Sequence, residues 1–256
     1  MHIFRNTDTW TAYRKQLSPY HSLGIVMTMG ALHQGHLSLI QKSMSENDKT
    51  LVTLFVNPTQ FDDMKDYQDY PNQWEQDITY LKQINVDYLL APHAQQMHSK
   101  DDHFHVIEQQ FSQKLCGLSR HGHFSGVLTV VMKLLQLAQA HRAYFGEKDY
   151  QQYTLIKMMV ESFFVPTEVI VCPTIRDENG LALSSRNQHL SQTGRIQAGI
   201  FAHILHTTPD LSEVRKKLSA ASIKIDYLAE YYGRRFAAVF IEDIRLIDNI
   251  DIKSYF

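Results

Sequence analysis

Met27-Thr28-Met29-Gly30-Ala31-Leu32-His33-Gln34-Gly35-His36-Leu37-Ser38-Leu39-Ile40 decides the reading of this chain. A short apolar run, Leu23–Thr28, leads into a turn at Gly30. Two histidines follow, separated by Gln34 and Gly35, and an amphipathic helix begins. A helix start offers unpaired N–H groups and a partial positive charge, so it attracts phosphate. Histidines there can donate hydrogen bonds to phosphate oxygens as charge builds in a transition state. Gly35 has no Cβ, so a base or phosphate can approach the backbone closely. The stretch therefore points to nucleotide chemistry. Two other readings compete. Histidines at i and i+3 could bind a metal, although no third ligand with zinc-like spacing stands nearby. They could also be satisfied histidines at a helix start with no chemistry. A phosphate site further along the chain decides among the three.

Outward from this point, strand-like and helix-like runs alternate. Residues 23–28, 50–56, 86–91, 142–145 and 168–172 read as short buried strands rich in Val, Ile, Leu and Phe. Residues 7–17, 35–46, 72–84, 122–139 and 149–163 read as helices, with Asn72 as a cap and Trp74, Ile78 and Leu81 at helical spacing. This alternation predicts a parallel α/β sheet with helices on both faces. Ligands in such sheets bind beyond the C-terminal strand ends. His33 and His36, Asn57-Pro58-Thr59-Gln60 and Gly146-Glu147-Lys148-Asp149 each follow a predicted strand, so three polar clusters converge on one edge.

The pattern changes near Pro173-Thr174. A turn-rich segment, Arg176-Asp177-Glu178-Asn179-Gly180, precedes Leu181-Ala182-Leu183-Ser184-Ser185-Arg186-Asn187. Helices near residues 191–206 and 211–221 and strands near 223–228, 237–241 and 245–247 complete a smaller α+β domain. The expected division is 1–174 and 175–256. Lys148 is placed to neutralise phosphate and Asp149 to cap a helix. The hydroxyls and guanidinium of Ser184-Ser185-Arg186 suit a polyphosphate, although a solvated turn would explain that cluster if it stood alone.

Composition narrows the classes. The 256 residues are 44% hydrophobic and 20% charged, an ordinary globular balance with enough chain for a substantial core. A formal net charge of −2 argues against a general nucleic-acid binder. Cys116 and Cys172 form no CxxC pair and suggest no disulfide framework, which fits a reduced, cytoplasmic setting. The N-terminus lacks a signal-peptide core, and no apolar run approaches the roughly 18 residues of a membrane span. Of the 14 histidines, His103 and His105 alternate along a predicted strand, and His203 and His206 share a helix face. Both pairs read as solvated or packed, because neither has further nearby ligands.

Taken together, six stretches resemble the pantoate–β-alanine ligase family. They are Thr28 to His36, Phe55-Val56-Asn57-Pro58-Thr59-Gln60-Phe61, Arg120-His121-Gly122-His123-Phe124-Ser125-Gly126-Val127, Phe145-Gly146-Glu147-Lys148-Asp149-Tyr150-Gln151-Gln152, Arg176 to Asn187, and Arg245-Leu246-Ile247-Asp248-Asn249. They occur in the family's order and span nearly the whole chain. The resemblance implies a Rossmann-like nucleotidyltransferase sheet domain with an H-x-G-H site and a smaller C-terminal lid. It implies that pantoate carboxylate attacks the α-phosphorus of ATP, and that β-alanine then attacks the pantoyl adenylate. AMP, pyrophosphate and pantothenate result.

The same resemblance assigns residues. His36 and His33 would stabilise the α-phosphate, and Lys148 and Arg186 would neutralise phosphate oxygens. Met29, Gly30, Ala31, Leu32, Gln34, Gly35, Gly146, Glu147, Asp149, Ile175, Leu183, Ser184 and Ser185 would complete the ATP site. Gln60 and Gln152 would bind pantoate, Met29 and Phe61 would wall its gem-dimethyl group, and Asn57 would contact β-alanine. Mg²⁺ is expected on the ATP phosphates, with no protein metal cage. A homodimer is expected, with no nucleic-acid or membrane partner. His121 stands where the family has Pro, Leu183 where it has Met, and Met97-His98-Ser99 where Tyr-Pro is common. The connection before Phe240 is shorter than usual, and the usual Gly before Arg245 is missing. A different ligase on the same fold fits Gln60 and Gln152 poorly. A tRNA synthetase lacks support, because the chain has no basic domain suited to tRNA. A regulator without catalysis would be expected to lose His36, Lys148 or Arg186, all of which are present.

Overall fold

The computed structural model describes residues 1–62, 64–99 and 103–252. Residues 63, 100–102 and 253–256, which fall within the two expected domains, lie outside the described residues. A six-stranded sheet, all of its pairs parallel, has the order β1-β4-β3-β2-β5-β6. Its strands are β1 (His2–Phe4), β2 (Leu23–Thr28), β3 (Lys49–Leu54), β4 (Tyr88–Leu90), β5 (Arg142–Gly146) and β6 (Glu168–Cys172). The helices in and around it are α1 (Thr7–Arg14), α2 (Gln34–Glu46), α3 (Met64–Gln68), α4 (Trp74–Gln83), α5 (Ala94–Met97), α6 (Cys116–Ser119), α7 (His123–Ala138) and α8 (Tyr150–Ser162). Successive strand residues feed opposite layers. Ile25, Leu51, Leu90 and Phe145 join the core that holds Trp10 and most of α7. Val26, Val52, Leu89 and Tyr144 join the core beneath α2 and α4. Burial of both faces explains why these strands read as continuous apolar runs.

The smaller domain packs α9 (Gln192–Thr207) and α10 (Leu211–Ala220) on an antiparallel sheet of β7 (Lys224–Tyr231), β8 (Arg234–Ile241) and β9 (Ile244–Asp251). Tyr232 and Gly233 link the first hairpin, and Glu242 and Asp243 the second, all at positive φ. Two such residues in succession make the tight turn that matches strand twist. Glu242 and Asp243 show that the second turn forms without glycine. Phe236 of β8 reaches into the core of the large domain, so the two domains share packing.

Three local expectations are corrected. Helix α4 starts later than Asn72: Gln73 is the N-cap, and its side chain makes no capping hydrogen bond. Asp149 occupies the N-cap position of α8 but also makes no side-chain cap. His103 and His105 lie in irregular chain, not in a strand. Strand β1, which the sequence reading lacks, pairs with β4 at the sheet edge.

Candidate active site

The strand order reverses between β2 and β5, with β3, β4 and β1 on one side and β6 on the other. The crevice at such a switch point is where an open parallel sheet binds ligands. Strand β2 delivers His33 and His36, and β5 delivers Lys148, to the two sides of this crevice. A cavity of about 850 Å³ opens there.

The start of α2 is locked by reciprocal bonds. His33 Nδ1 accepts from the Gly35 N–H (3.1 Å), and His36 Nδ1 accepts from the His33 N–H (3.4 Å). With both Nδ1 atoms accepting, each neutral ring carries its proton on Nε2 and keeps that N–H as a donor. The rings lie 4.1 Å apart between centroids. Burial, then nearby Lys148, lowers the His33 pKa to about 4, against an opposing pull from Asp149. Burial, then His33 and Lys148, lowers His36 to about 3. Both are therefore neutral hydrogen-bond donors at neutral pH.

The turn before them hangs on Asp77 of α4, which is 2% exposed. Its carboxylate accepts the Ala31 N–H (2.9 Å) and the Leu32 N–H (2.8 Å). Burial raises its pKa, and the two N–H bonds oppose that rise. The sequence reading missed Asp77. The available signal was a carboxylate among Trp74, Ile78 and Leu81 on the apolar face of the helix.

Beyond β3, the Pro58–Gln60 turn carries the second cluster. Asn57 Nδ2 donates to Gln60 Oε1 (3.2 Å) and to the Gly126 carbonyl (3.1 Å). Gln60 Nε2 donates to Met29 Sδ. The Gln60 carbonyl accepts from Arg120 Nη2 (3.1 Å) and from His123 Nδ1 (2.7 Å). Burial, then Arg120, lowers the His123 pKa to about 3, against the pull of that carbonyl. These two side chains supply a role for the stretch from Arg120 to Val127, which has none on sequence grounds.

Met29, His33, Gly35, His36, Asn57, Gln60, Gly146, Lys148, Asp149, Gln152, Ile175, Leu183, Ser184, Ser185 and Arg186 all line the cavity. Gly30, Ala31, Leu32, Gln34, Glu147 and Phe61 do not. Ala31 and Leu32 are buried, with their N–H groups on Asp77. Gly30 faces a smaller neighbouring cavity. Gln34 is exposed. Glu147 pairs with Arg234 (2.9 Å). Phe61 packs edge-on against Tyr67 and Tyr70. Arg186 pairs with Asp66 (2.9 Å), and Ser185 Oγ lies 3.3 Å from the Tyr70 hydroxyl. Both contacts to Asp66 come from Arg186 Nη2. The buried Thr53 Oγ1 and Asn187 Oδ1 make no hydrogen bond, and both residues line the same cavity. Among the described residues, no group of three or more His, Cys, Asp or Glu side chains is placed to hold a metal. His203 and His206 lie on α9, and His206 Nε2 is 3.1 Å from Asp248.

The lowered pKa values of half-buried His33 and His36 and of buried His123 predict acid sensitivity. The unfolded chain takes up protons at about 6.5, which the folded His33, His36 and His123 resist down to about 4, 3 and 3. Their contribution to stability is complete above pH 6.5 and is lost as pH falls below it. The thermal midpoint of the ligand-free protein should therefore drop between about pH 7 and about pH 5. His123→Gln should flatten that slope, and an unchanged slope would refute the assignment.

Known proteins resemble this chain over nearly its whole length. The family model described as Pantoate-beta-alanine ligase matches residues 2–251. A pantothenate synthetase of Legionella pneumophila (strain Lens) is 47% identical over 249 residues, 97% of this chain and 99% of that one. Its counterpart in Bdellovibrio bacteriovorus is 42% identical over 250 residues, 98% and 99% of the two chains. The Francisella tularensis pantoate-beta-alanine ligase, solved in complex with beta-gamma ATP and beta-alanine, superposes with a TM-score of 0.94 at 43% identity, covering 99% of this chain and 98% of that one. The pantothenate synthetase of Thermus thermophilus gives 0.91 at 35% identity, covering 98% and 99%. The chain belongs to the pantoate–β-alanine ligase family.

Proposed function

We propose that this protein condenses pantoate with β-alanine in two steps, through pantoyl adenylate, releasing AMP and pyrophosphate. The observation that carries the reading is the convergence of His33, His36, Lys148 and the Ser184-Ser185-Arg186 turn with Gln60 and Gln152 in one cavity. The first set suits a polyphosphate. The carboxamides donate and accept, matching the hydroxyls and carboxylate of pantoate. Crystallisation of the Francisella protein with beta-gamma ATP and beta-alanine supports both as ligands here.

In this reading the carboxylate attacks the α-phosphorus while negative charge spreads over its oxygens. Positioning and electrostatics should dominate that step. His36 and His33 donate from Nε2 to the α-phosphate, and Lys148 supplies a fixed positive charge. Arg186, Ser184 and Ser185 hold the pyrophosphate portion. Gly35, Gly146, Asp149, Ile175 and Leu183 surround the nucleoside. Met29 offers an apolar wall to pantoate, and Asn57 is the β-alanine contact. Gly30, Ala31 and Leu32 serve by shaping the turn. The cations and hydroxyls at the phosphate end would hold the triphosphate, and Mg²⁺ would be carried on its oxygens. When bound, such an ion neutralises charge on the departing pyrophosphate. A homodimer, a cytoplasmic setting and a lid role for residues 175–256 are proposed on family grounds. Among the described residues, no helix is long and apolar enough to cross a membrane.

The test is ATP–pyrophosphate exchange with Mg²⁺ and pantoate, without β-alanine. Exchange that requires pantoate is expected. Its absence in folded protein that still binds ATP would overturn the adenylate route. Gln152→Ala should raise the pantoate KM about 10-fold or more while the ATP KM changes far less, because the carboxamide serves one substrate. Equal losses for both substrates would place Gln152 elsewhere.

A further inference from the structure

The Asp248-Asn249 pair lies in the last family stretch and has no part in the reaction outlined above. Both residues are on β9, 2% and 4% exposed. Asn249 Nδ2 donates to the carbonyls of Glu147 and Lys148, each at 2.9 Å. Its Oδ1 accepts from Arg234 Nε (2.9 Å), whose Nη1 holds Glu147 Oε1 (2.9 Å). The Arg234 guanidinium also lies 4.2 Å from the Tyr150 ring centroid. Every hydrogen-bonding group of the Asn249 carboxamide is therefore committed to the turn that carries Lys148 or to the arginine beside it.

Asp248 reaches the other phosphate-facing segment. Its carboxylate takes both Nη atoms of Arg176, at 2.6 and 2.9 Å. Arg176 Nη1 also donates to the Gly180 carbonyl (3.0 Å), and Arg176 pairs with Ala182 in an antiparallel bridge. That bridge leads directly into Ser184-Ser185-Arg186. Asp248 Oδ1 also accepts the backbone N–H of Asn249 (2.8 Å), which ties the Asp248 side chain to the strand at Asn249.

We infer that Asp248 and Asn249 are positioning residues that set the Lys148 turn and the Ser184-Ser185-Arg186 turn relative to each other, from one point on the smaller domain. The inference rests on the phosphate roles proposed above for Lys148 and Arg186. Neighbouring residues on a strand point to opposite sides. One dipeptide therefore braces two segments that lie far apart in sequence and converge on one ligand. Two carbonyls fixed by one carboxamide leave the Lys148 backbone little freedom, and small misplacements of a charged donor are costly in transition-state stabilisation.

The experiment is a double-mutant cycle in pyrophosphate exchange with saturating ATP and pantoate, on purified variants matched for thermal unfolding. Asn249→Ala should lower the exchange rate at least about 10-fold with a much smaller change in pantoate KM. In a Lys148→Ala background it should cost less than about 2-fold further, because the residue it positions is gone. Asp248→Asn should be non-additive with Arg186→Ala in the same way. Multiplicative losses would overturn the inference and reduce the pair to general fold support. A near-normal Asn249→Ala would overturn it as well. If Asn249→Ala does not fold, Arg234→Lys loosens the hold on Asn249 Oδ1, and the same non-additivity is expected on a smaller loss. Near-normal exchange in Lys148→Ala alone would instead overturn the role of Lys148 on which the inference depends.

Discussion

Lys148→Ala should slow pantoate-dependent pyrophosphate exchange by at least about 100-fold, the scale seen when one preorganised electrostatic donor is removed. Lys148 follows the β5 strand end, across the crevice from His33 and His36, with its side chain 18% exposed. Its contact to Asp149 is long, at 3.5 Å, so little competes for its charge. Charge develops on the phosphate as the carboxylate approaches, so the rate should fall more than ATP affinity does. A second readout needs no turnover. Lys148 helps to lower the pKa of both His33 and His36, so removing it should raise both values. Histidine titration by NMR in the ligand-free variant reads this directly. Unmoved histidines together with near-normal exchange would remove Lys148 from the site.

What is legible in the sequence follows from the range of each interaction. Strands β2, β3 and β5 are legible because burial of both faces demands unbroken apolar runs, and the half-buried edge strand β6 still carries Val169-Ile170-Val171. Strand β1 has no such run: it is a three-residue edge strand whose side chains are mostly exposed. His103 and His105 alternate like strand residues, yet their segment lies outside both sheets. The α4 cap is not legible, because the chain at Gln73 enters the helix with φ −120° and ψ 41°, where no side-chain cap forms. At the site, local motifs place the histidines, Lys148 and the serine turn. The contacts that hold them cross long stretches of chain. Asp77 reaches Ala31 across 46 positions, and Asp66 reaches Arg186 across 120. No spacing rule connects such pairs, and only the folded topology does.

Two glycines separate packing from ligand contact. Gly126 of α7 sits against the Pro58–Gln60 turn, and a Cβ there would lie 2.3 Å from the Thr59 carbonyl oxygen and 2.6 Å from its carbon. Those are backbone atoms, so the turn itself must move. Moving it disturbs the Asn57 bond to the Gly126 carbonyl and the Gln60 carbonyl clasped by Arg120 and His123. Gly126→Ala should therefore cost about 3 kcal/mol, the upper range for an overpacked core. For a chain of this size that lowers the thermal midpoint by roughly 6–12 °C. Pantoate KM should rise at least about 10-fold, since the displaced turn carries Gln60. Gly146 is the counterpart: a Cβ there meets nothing within 4 Å. Its φ of −75° suits any L-residue. Gly146→Ala should therefore leave stability within about 0.5 kcal/mol. Gly146 nevertheless lines the proposed nucleoside pocket, where an added methyl group intrudes on ATP. That variant should raise ATP KM and spare pantoate KM. If Gly126→Ala proves as stable as the parent, the close packing of Gly126 on the Thr59 backbone is wrong; if both variants shift the same substrate, the assignment of Gln60 to pantoate and of Gly146 to the nucleoside is wrong.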